Sequence, residues 1–273
     1  MRSYTIKAIK YIAKNFFYLL PFAVLPAFLL AMSVSQSDVE CVIKTILSGD
    51  LTNIRFDHVF NAISLLNFSS WESIVFGALG VVVLLISVSV LMALLEKHMR
   101  IGRRTFHGIF SKLNDNLIPT FGYMVIVLII YEIWSLITAG LLFLFSKIPV
   151  VWLAYTLSGI FFVALHVALI YVLGIIYLWL PCMQITGFRA LEAFQYSYQL
   201  MAPVRWGILG VQALLLFVVE GLLGVCALFS MDAVTFTLLT TAIYALVIMV
   251  YCVRMEIVYF DRENMRRADE KRY

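Results

Sequence analysis

Six apolar runs, each at least about as long as a bilayer's hydrocarbon interior is thick, constrain this chain more than any other feature. They cover residues 16–34, 74–95, 117–145, 150–180, 206–229 and 234–253. A hydrocarbon core about 30 Å thick needs roughly 20 apolar residues in helix. Composition agrees. Hydrophobic residues make up 63% of the 273 and charged residues 13%, whereas soluble domains are about half apolar and about a quarter charged. A soluble fold would leave apolar surface in water along most of its length. Barrel strands would alternate over about ten residues, and none of the six runs does. The sequence therefore predicts an all-α integral membrane protein with six transmembrane helices. The fourth run is longer than a span requires, which leaves one tilted helix or one projecting helix open.

Orientation follows from lysine and arginine. One side holds the N-terminal segment, the loop between spans two and three, the loop between four and five, and a tail over 254–273. Together these carry 17 of the 20 basic residues. The other side keeps Lys44, Arg55 and Lys147. Both termini are expected in the cytoplasm. The basic start followed by an apolar run superficially resembles a signal peptide, but that run is a full span and no small-residue cleavage site stands out. Of the four cysteines, Cys182 is expected reduced on the cytoplasmic side, and Cys226 and Cys252 lie in spans. Cys41 lies outside; a bridge from it to Cys226 is the less favoured reading.

A pattern repeats three times. Ahead of each odd-numbered span lies a short basic or aromatic amphipathic segment, over 9–16, 106–113 and 188–201. In the second, Phe106, Ile109, Phe110 and Leu113 fall at helical spacing on one face. Such helices lie in the headgroup plane with their cations toward anionic lipid. Each segment ends in amides or a short polar run, and Pro21, Pro119 or Pro203 follows, suited to the start of a helix. The prediction is three units, each an interfacial elbow helix plus a transmembrane hairpin. Lys10, Lys14, Arg103, Arg104, Phe106, Phe110, Arg189 and Phe194 are the candidate lipid- or partner-contacting residues of the elbows.

Residues 187–201 (GFRALEAFQYSYQLM), followed by Pro203, Arg205 and Trp206, resemble the elbow of a bacterial group of six-span proteins. That group includes the membrane domain of glycerophosphodiester phosphodiesterases and related uncharacterised families. Ala190, Leu191, Ser197, Arg205 and Trp206 carry the resemblance; the first two units match more loosely, through Lys14-Asn15-Phe16 and Leu113-Asn114. The resemblance implies a bacterial cytoplasmic membrane and no catalysis, because the phosphodiesterase chemistry of that group resides in a separate soluble domain that has no counterpart here.

The segment over 36–71 is the one sizeable loop on the outer side. Ile54, Phe56, Val59, Phe60, Ile63 and Leu66 suggest a helix with an apolar face, expected to rest on the outer leaflet rather than to cap the bundle. Asn67-Phe68-Ser69 fits a glycosylation acceptor only in a secretory context.

Ionisable residues inside spans are costly and therefore functional candidates. Glu132, His166 and Glu220 lie on the third, fourth and fifth spans. If they meet, they suit proton-coupled transport; taken singly, each is better read as hydrogen-bonded to a neighbouring Tyr, Ser or Thr, with Tyr131, Ser135, Thr138, Tyr155 and Thr156 within the same region. The four histidines are scattered, with neither His-x-x-x-His nor Cys-x-x-Cys, so no metal is expected. Ser158-Gly159 lacks the preceding glycine of a nucleophile elbow, and no phosphate-binding Gly-rich loop occurs. Neither an enzyme nor a cofactor is expected, and nucleic-acid binding has no support. The leading functional expectation is a non-enzymatic protein acting on or with lipids. The alternative is a transporter permease, either proton-coupled or the membrane subunit of an ATP-driven exporter. The expected partners are membrane lipids, with an ATPase subunit or a second copy of the chain as further candidates.

Overall fold

The computed structural model describes residues 2–49, 54–229 and 232–272, and among them the chain is helical with no strand. The helices are α1 (Arg2–Ser33), α2 (Gln36–Ser48), α3 (Phe56–Ile63), α4 (Trp71–Ile101), α5 (Ile109–Ser146), α6 (Val151–Ile175), α7 (Trp179–Thr186), α8 (Ala190–Met201), α9 (Arg205–Phe229) and α10 (Ala233–Arg262), followed by a short 3-10 turn at Ala268–Arg272. Six segments are long and apolar enough to cross a membrane: α1, α4, α5, α6 continued by α7, α9 and α10. This is a multi-pass integral membrane protein.

Helix ends follow local chemistry. Ser35, Ser70 and Asp232 cap α2, α4 and α10, each accepting from the backbone N–H three residues on, which satisfies a donor that has no partner inside the helix. Gly49 and Gly102 end α2 and α4 at φ of 79° and 72°, a conformation that costs glycine nothing.

The six spanning segments pack as a closed ring in chain order: α1 on α4, α4 on α5, α5 on α6, α6 on α9, α9 on α10 and α10 on α1. Lipid tails are as apolar as leucine, so helices in a membrane associate by close fit and polar contacts instead of hydrophobic burial. On α1 the fit comes from Ala23, Ala27 and Ala31, one helical turn apart and all fully buried. A methyl at Gly80 of α4 would meet the Leu30 side chain at 2.9 Å and its backbone nitrogen at 3.0 Å. Between α6 and α9 a methyl at Gly174 would fall 2.1 Å from Leu209.

Both chain termini lie at one end of the ring, called here the terminal end; the Tyr4 hydroxyl donates to Asp261 across α1 and α10. This end is the densest part of the molecule. Residues 252–260 of α10 are all buried, as are Leu91–Leu95 of α4. The expected tail thus begins as the buried end of a helix: α10 runs nine residues past the predicted span, because Ile257, Val258, Tyr259 and Phe260 prolong its apolar face around Arg254 and Glu256. The long fourth run is one spanning segment but not one continuous helix. It breaks over residues 176–178, where Ile176, Tyr177 and Leu178 are buried in the core, and resumes as α7.

The three amphipathic segments take three forms. The first continues into α1 across a kink at Asn15 (φ −120°, ψ 19°). The second is the start of α5 itself, with Phe106 in the preceding turn. Only the third is a separate helix, α8, joined to α9 through a turn containing Pro203. Glu263, by hydrogen bonding and then by burial, pushes the Tyr196 phenol of α8 up to about 12, and Arg262 donates to the Leu200 carbonyl at 3.2 Å, so α8 is tied to the end of α10.

At the far end, α2 and α3 lie over the ring. The expected surface-resting helix caps the bundle instead: Ile54 and Val59 are buried with Ala139 of α5 and Ala154 of α6, and His58 meets Asp38 of α2 at 2.6 Å. Small residues on α5 and α6 leave room for that docking. Asn67 is buried and structural, donating to the Asn61 carbonyl and accepting from the Ser69 backbone at 2.7 Å, which removes it as a glycosylation acceptor. All four cysteines are free thiols, Cys41 and Cys226 among them.

Candidate functional site

Two of the three intramembrane candidates meet. His166 of α6 is fully buried, and its Nε2 lies 3.0 and 3.2 Å from the two carboxylate oxygens of Glu220 on α9. Its Nδ1 lies 2.8 Å from the Phe162 carbonyl one turn earlier. A carbonyl oxygen only accepts, so Nδ1 carries a hydrogen. The Nε2 contact then needs a hydrogen of its own, on the imidazole or on the carboxyl group. Trp134, Phe162 and Phe217 surround the imidazole at ring separations of 4.1–5.1 Å, which keeps water from one of the two partners.

Glu132 goes elsewhere. Its carboxylate accepts from the backbone N–H groups of Leu65 and Leu66 at 3.0 and 3.1 Å and from the Ser64 hydroxyl at 2.7 Å. Ser135 on its own helix is a weaker fourth donor at 3.4 Å. Tyr131 beside it donates to the Ile63 carbonyl at 2.9 Å. Glu132 thus anchors the chain leaving α3, a structural role filled mainly by the outer segment and not by the membrane neighbours expected.

Next to the histidine–glutamate pair lies an apolar cavity of about 410 Å³, bounded by α5, α6, α9 and α10. Val219, the residue before Glu220, and Leu169, one turn after His166, are in its wall. Val218 and Leu222 of α9 and Leu246 and Val247 of α10 also line it, yet 38–50% of each is exposed. The cavity is therefore open at the surface along α9 and α10. The opening exists because α9 stands away from the bundle; only Ile208, Leu209 and Ala227 along its length are buried. Toward the terminal end the wall turns polar at Gln212, Tyr251 and Arg254.

Sequence reasoning missed these last groups. Arg254 lay in the expected tail, and Gln212 lay inside a span as a neutral amide. The usable signal was the apolar run after Arg254, which places the arginine inside a helix's buried stretch. Glu256 was missed for the same reason. It is fully buried, with both carboxylate oxygens unpartnered, and among charged groups Glu96 acts on it most strongly. Glu96 itself is held by Arg100 at 3.1 Å and by Lys112.

The elbow candidates divide between packed and exposed positions. Lys10, Lys14, Arg103 and Arg104 line one basic cavity of about 510 Å³ at the terminal end. Arg104 also donates to the Asn15 side chain and to the Lys14 carbonyl, both at 2.8 Å, bridging α1 to the α4–α5 turn. Phe106 packs at a tilt against Tyr18, ring centroids 5.3 Å apart, while keeping over half its surface exposed, and Phe110 is 85% exposed. Phe194 packs edge-on against Trp179 at 5.8 Å. Arg189 is exposed at the start of α8, where its backbone N–H donates to Glu192. No group of three or more metal-ligating side chains occurs among the described residues.

Compared with known protein families, curated proteins and solved structures, the chain has no significant match. The reading of its function therefore rests on its own residues.

Proposed function

We propose that this membrane protein holds an amphiphile, a lipid or lipid-like molecule, inside its bundle and takes it sideways from the bilayer between α9 and α10. The observation that carries this reading is the apolar cavity whose lining passes from buried Ile170 to exposed Leu222 and Leu246. Protein interiors are close-packed, and a void forfeits dispersion contacts, so a bundle built for packing alone would close this space. Its volume of about 410 Å³ falls in the roughly 300–1,000 Å³ range of small-molecule sites. The protein binds or carries its ligand and performs no reaction on it. By the distribution of basic residues, the terminal end faces the cytoplasm of a bacterial cell, and the basic cavity there meets anionic headgroups.

The test is retention of lipid. Purified protein is exchanged through mild detergent, and bound lipid is identified by mass spectrometry for the wild type, Leu222→Trp and Val247→Trp. The expected result is one lipid retained per chain by the wild type and lost from both variants at unchanged thermal stability. Equal retention by all three overturns the reading.

A second reading, a proton-coupled carrier, is favoured by one observation: the hydrogen-bonded pair of His166 and Glu220 lies beside the same cavity. In proteoliposomes with a pH-sensitive dye inside, amphiphile-dependent proton flux abolished by Glu220→Gln supports it. Amphiphile binding without flux reduces the pair to packing.

A further inference from the structure

The apolar cavity ends on a buried cation. Arg254 is 3% exposed, and one of its terminal nitrogens donates to the Ile208 carbonyl at 3.2 Å. Its Nε is buried with no partner, and among the described residues no carboxylate lies within ion-pair distance of it. Gln212, also in the cavity wall, has a buried side-chain oxygen without a donor. A guanidinium keeps its charge in proteins, and an unpaired buried charge is among the costliest arrangements a fold can hold. The Arg254 guanidinium carbon also lies 5.8 Å from the Tyr177 ring centroid, and inside a membrane a buried charge with no protein anion beside it among the described residues is by default a candidate ligand site.

Geometry sets the ligand's shape. From Ile243, at one end of the wall, to Arg254, at the other, is eleven residues of α10, roughly 16 Å at 1.5 Å per residue. That matches one leaflet of a hydrocarbon core about 30 Å thick. Apart from Tyr131, whose hydroxyl is engaged by the Ile63 carbonyl, the wall over this length is hydrocarbon except at the Arg254 end, where the guanidinium's planar fork suits a carboxylate or a phosphate. Gln212 stands beside it, its side-chain oxygen placed to accept from a hydroxyl of the same head.

Resting on the amphiphile reading above, we infer that the ligand is an anionic amphiphile: one hydrocarbon chain lies between α6, α9 and α10, and its carboxylate or phosphate head sits on Arg254. Fatty acids and lysophosphatidates share this chemistry. Zwitterionic and uncharged lipids do not.

The full chain in phosphatidylcholine nanodiscs is offered, separately, four probes with a photoreactive diazirine in a tail of equal length: a fatty acid, a lysophosphatidate, a lysophosphatidylcholine and a fatty alcohol. Crosslinks within residues 215–222 and 243–250 are quantified by mass spectrometry. At least one anionic probe is expected to label the cavity roughly tenfold more than the alcohol, the factor that one charge-assisted hydrogen bond supplies. Which anionic probe labels best identifies the head. Arg254→Gln brings the anionic probes down to the alcohol's level and leaves the alcohol unchanged, and Arg254→Lys retains part of the preference. Equal labelling by all four probes in the wild type overturns this inference without using any variant, and it leaves amphiphile binding standing. Absence of cavity crosslinks from every probe overturns the amphiphile reading itself.

Discussion

His166 and Glu220 lie 54 residues apart in sequence, on two different helices, and hydrogen-bond at 3.0 Å. Each satisfies the other, so removing one orphans its partner. His166→Leu and Glu220→Leu are each expected to lower the melting temperature, and the double variant to recover most of the loss, because two apolar groups replace a matched polar pair. Intramembrane polar pairs couple by about 0.6 kcal/mol on average and reach about 1.7 kcal/mol. A double-mutant cycle in detergent reads that coupling, and strictly additive losses would show that the pair does not interact.

Glu132 gathers two backbone N–H groups and a hydroxyl from residues 64–66. Glu132→Ala leaves those donors without an acceptor, so the far-end cap loosens while the ring stays intact. Hydrogen exchange is expected to quicken across residues 56–68 and to remain unchanged in α1 and α10. Uniform quickening along the chain is the contrary outcome, since it would mean that Glu132 supports the whole bundle.

The six spans were legible because bilayer thickness dictates the length of an apolar run, and no tertiary detail enters that argument. Their ends were not. Arg254 and Glu256 look like the start of a solvated tail until one sees that four apolar residues after them are buried with them. The role of Glu132 was hidden for a different reason: its donors lie 66–68 residues away in a loop, and the choice of a hydrogen-bond partner is a property of the fold. The α2 helix, with Asp38, Glu40 and Lys44, lacks the apolar dominance that exposed the spans. For the candidate site, residue types were visible and partners were not. His166 and Glu220 could be nominated, but the cavity beside them depends on how far α9 stands from α6 and α10.

That separation is limited by Gly174, where a side chain would strike Leu209. Gly174→Ala is expected to push α9 outward at its start and to lower stability by about 1–3 kcal/mol, the range for overpacking a fitted interface. Leu209→Ala removes the obstructing atoms, so the double variant is expected to be more stable than Gly174→Ala alone. No rescue would assign the loss to helix backbone effects, but alanine favours helix over glycine, which makes that outcome informative.

Arg104 reaches the two groups that the α1 kink presents, the Asn15 amide oxygen and the Lys14 carbonyl. Arg104→Ala leaves both without this donor, and the first elbow is expected to swing relative to the spanning part of α1. Spin labels at Lys7 and Leu113 measure the change as a broadened distance distribution. Arg104→Lys supplies one compact charge instead of a planar fork and is expected to restore the mean distance only in part. An unchanged distribution in Arg104→Ala would locate the cause of the kink in Asn15 alone, whose own side chain donates to the Tyr11 carbonyl at 2.9 Å.

Glu256 makes the opposite kind of prediction, a gain. Its carboxylate is fully buried and unpartnered, with Glu96 as its strongest like-charged neighbour. Glu96 already engages Arg100 and Lys112, so those cations are committed. A buried polar group left without a partner costs about 1–3 kcal/mol, more when it is charged, and an apolar residue of similar volume removes that cost. Glu256→Met is therefore expected to raise the melting temperature, whereas Glu96→Met strands two cations and lowers it. If Glu256→Met is instead as damaging as Glu96→Met, the Glu256 carboxylate has a partner in the folded protein, and the cluster at the terminal end works as one ion network.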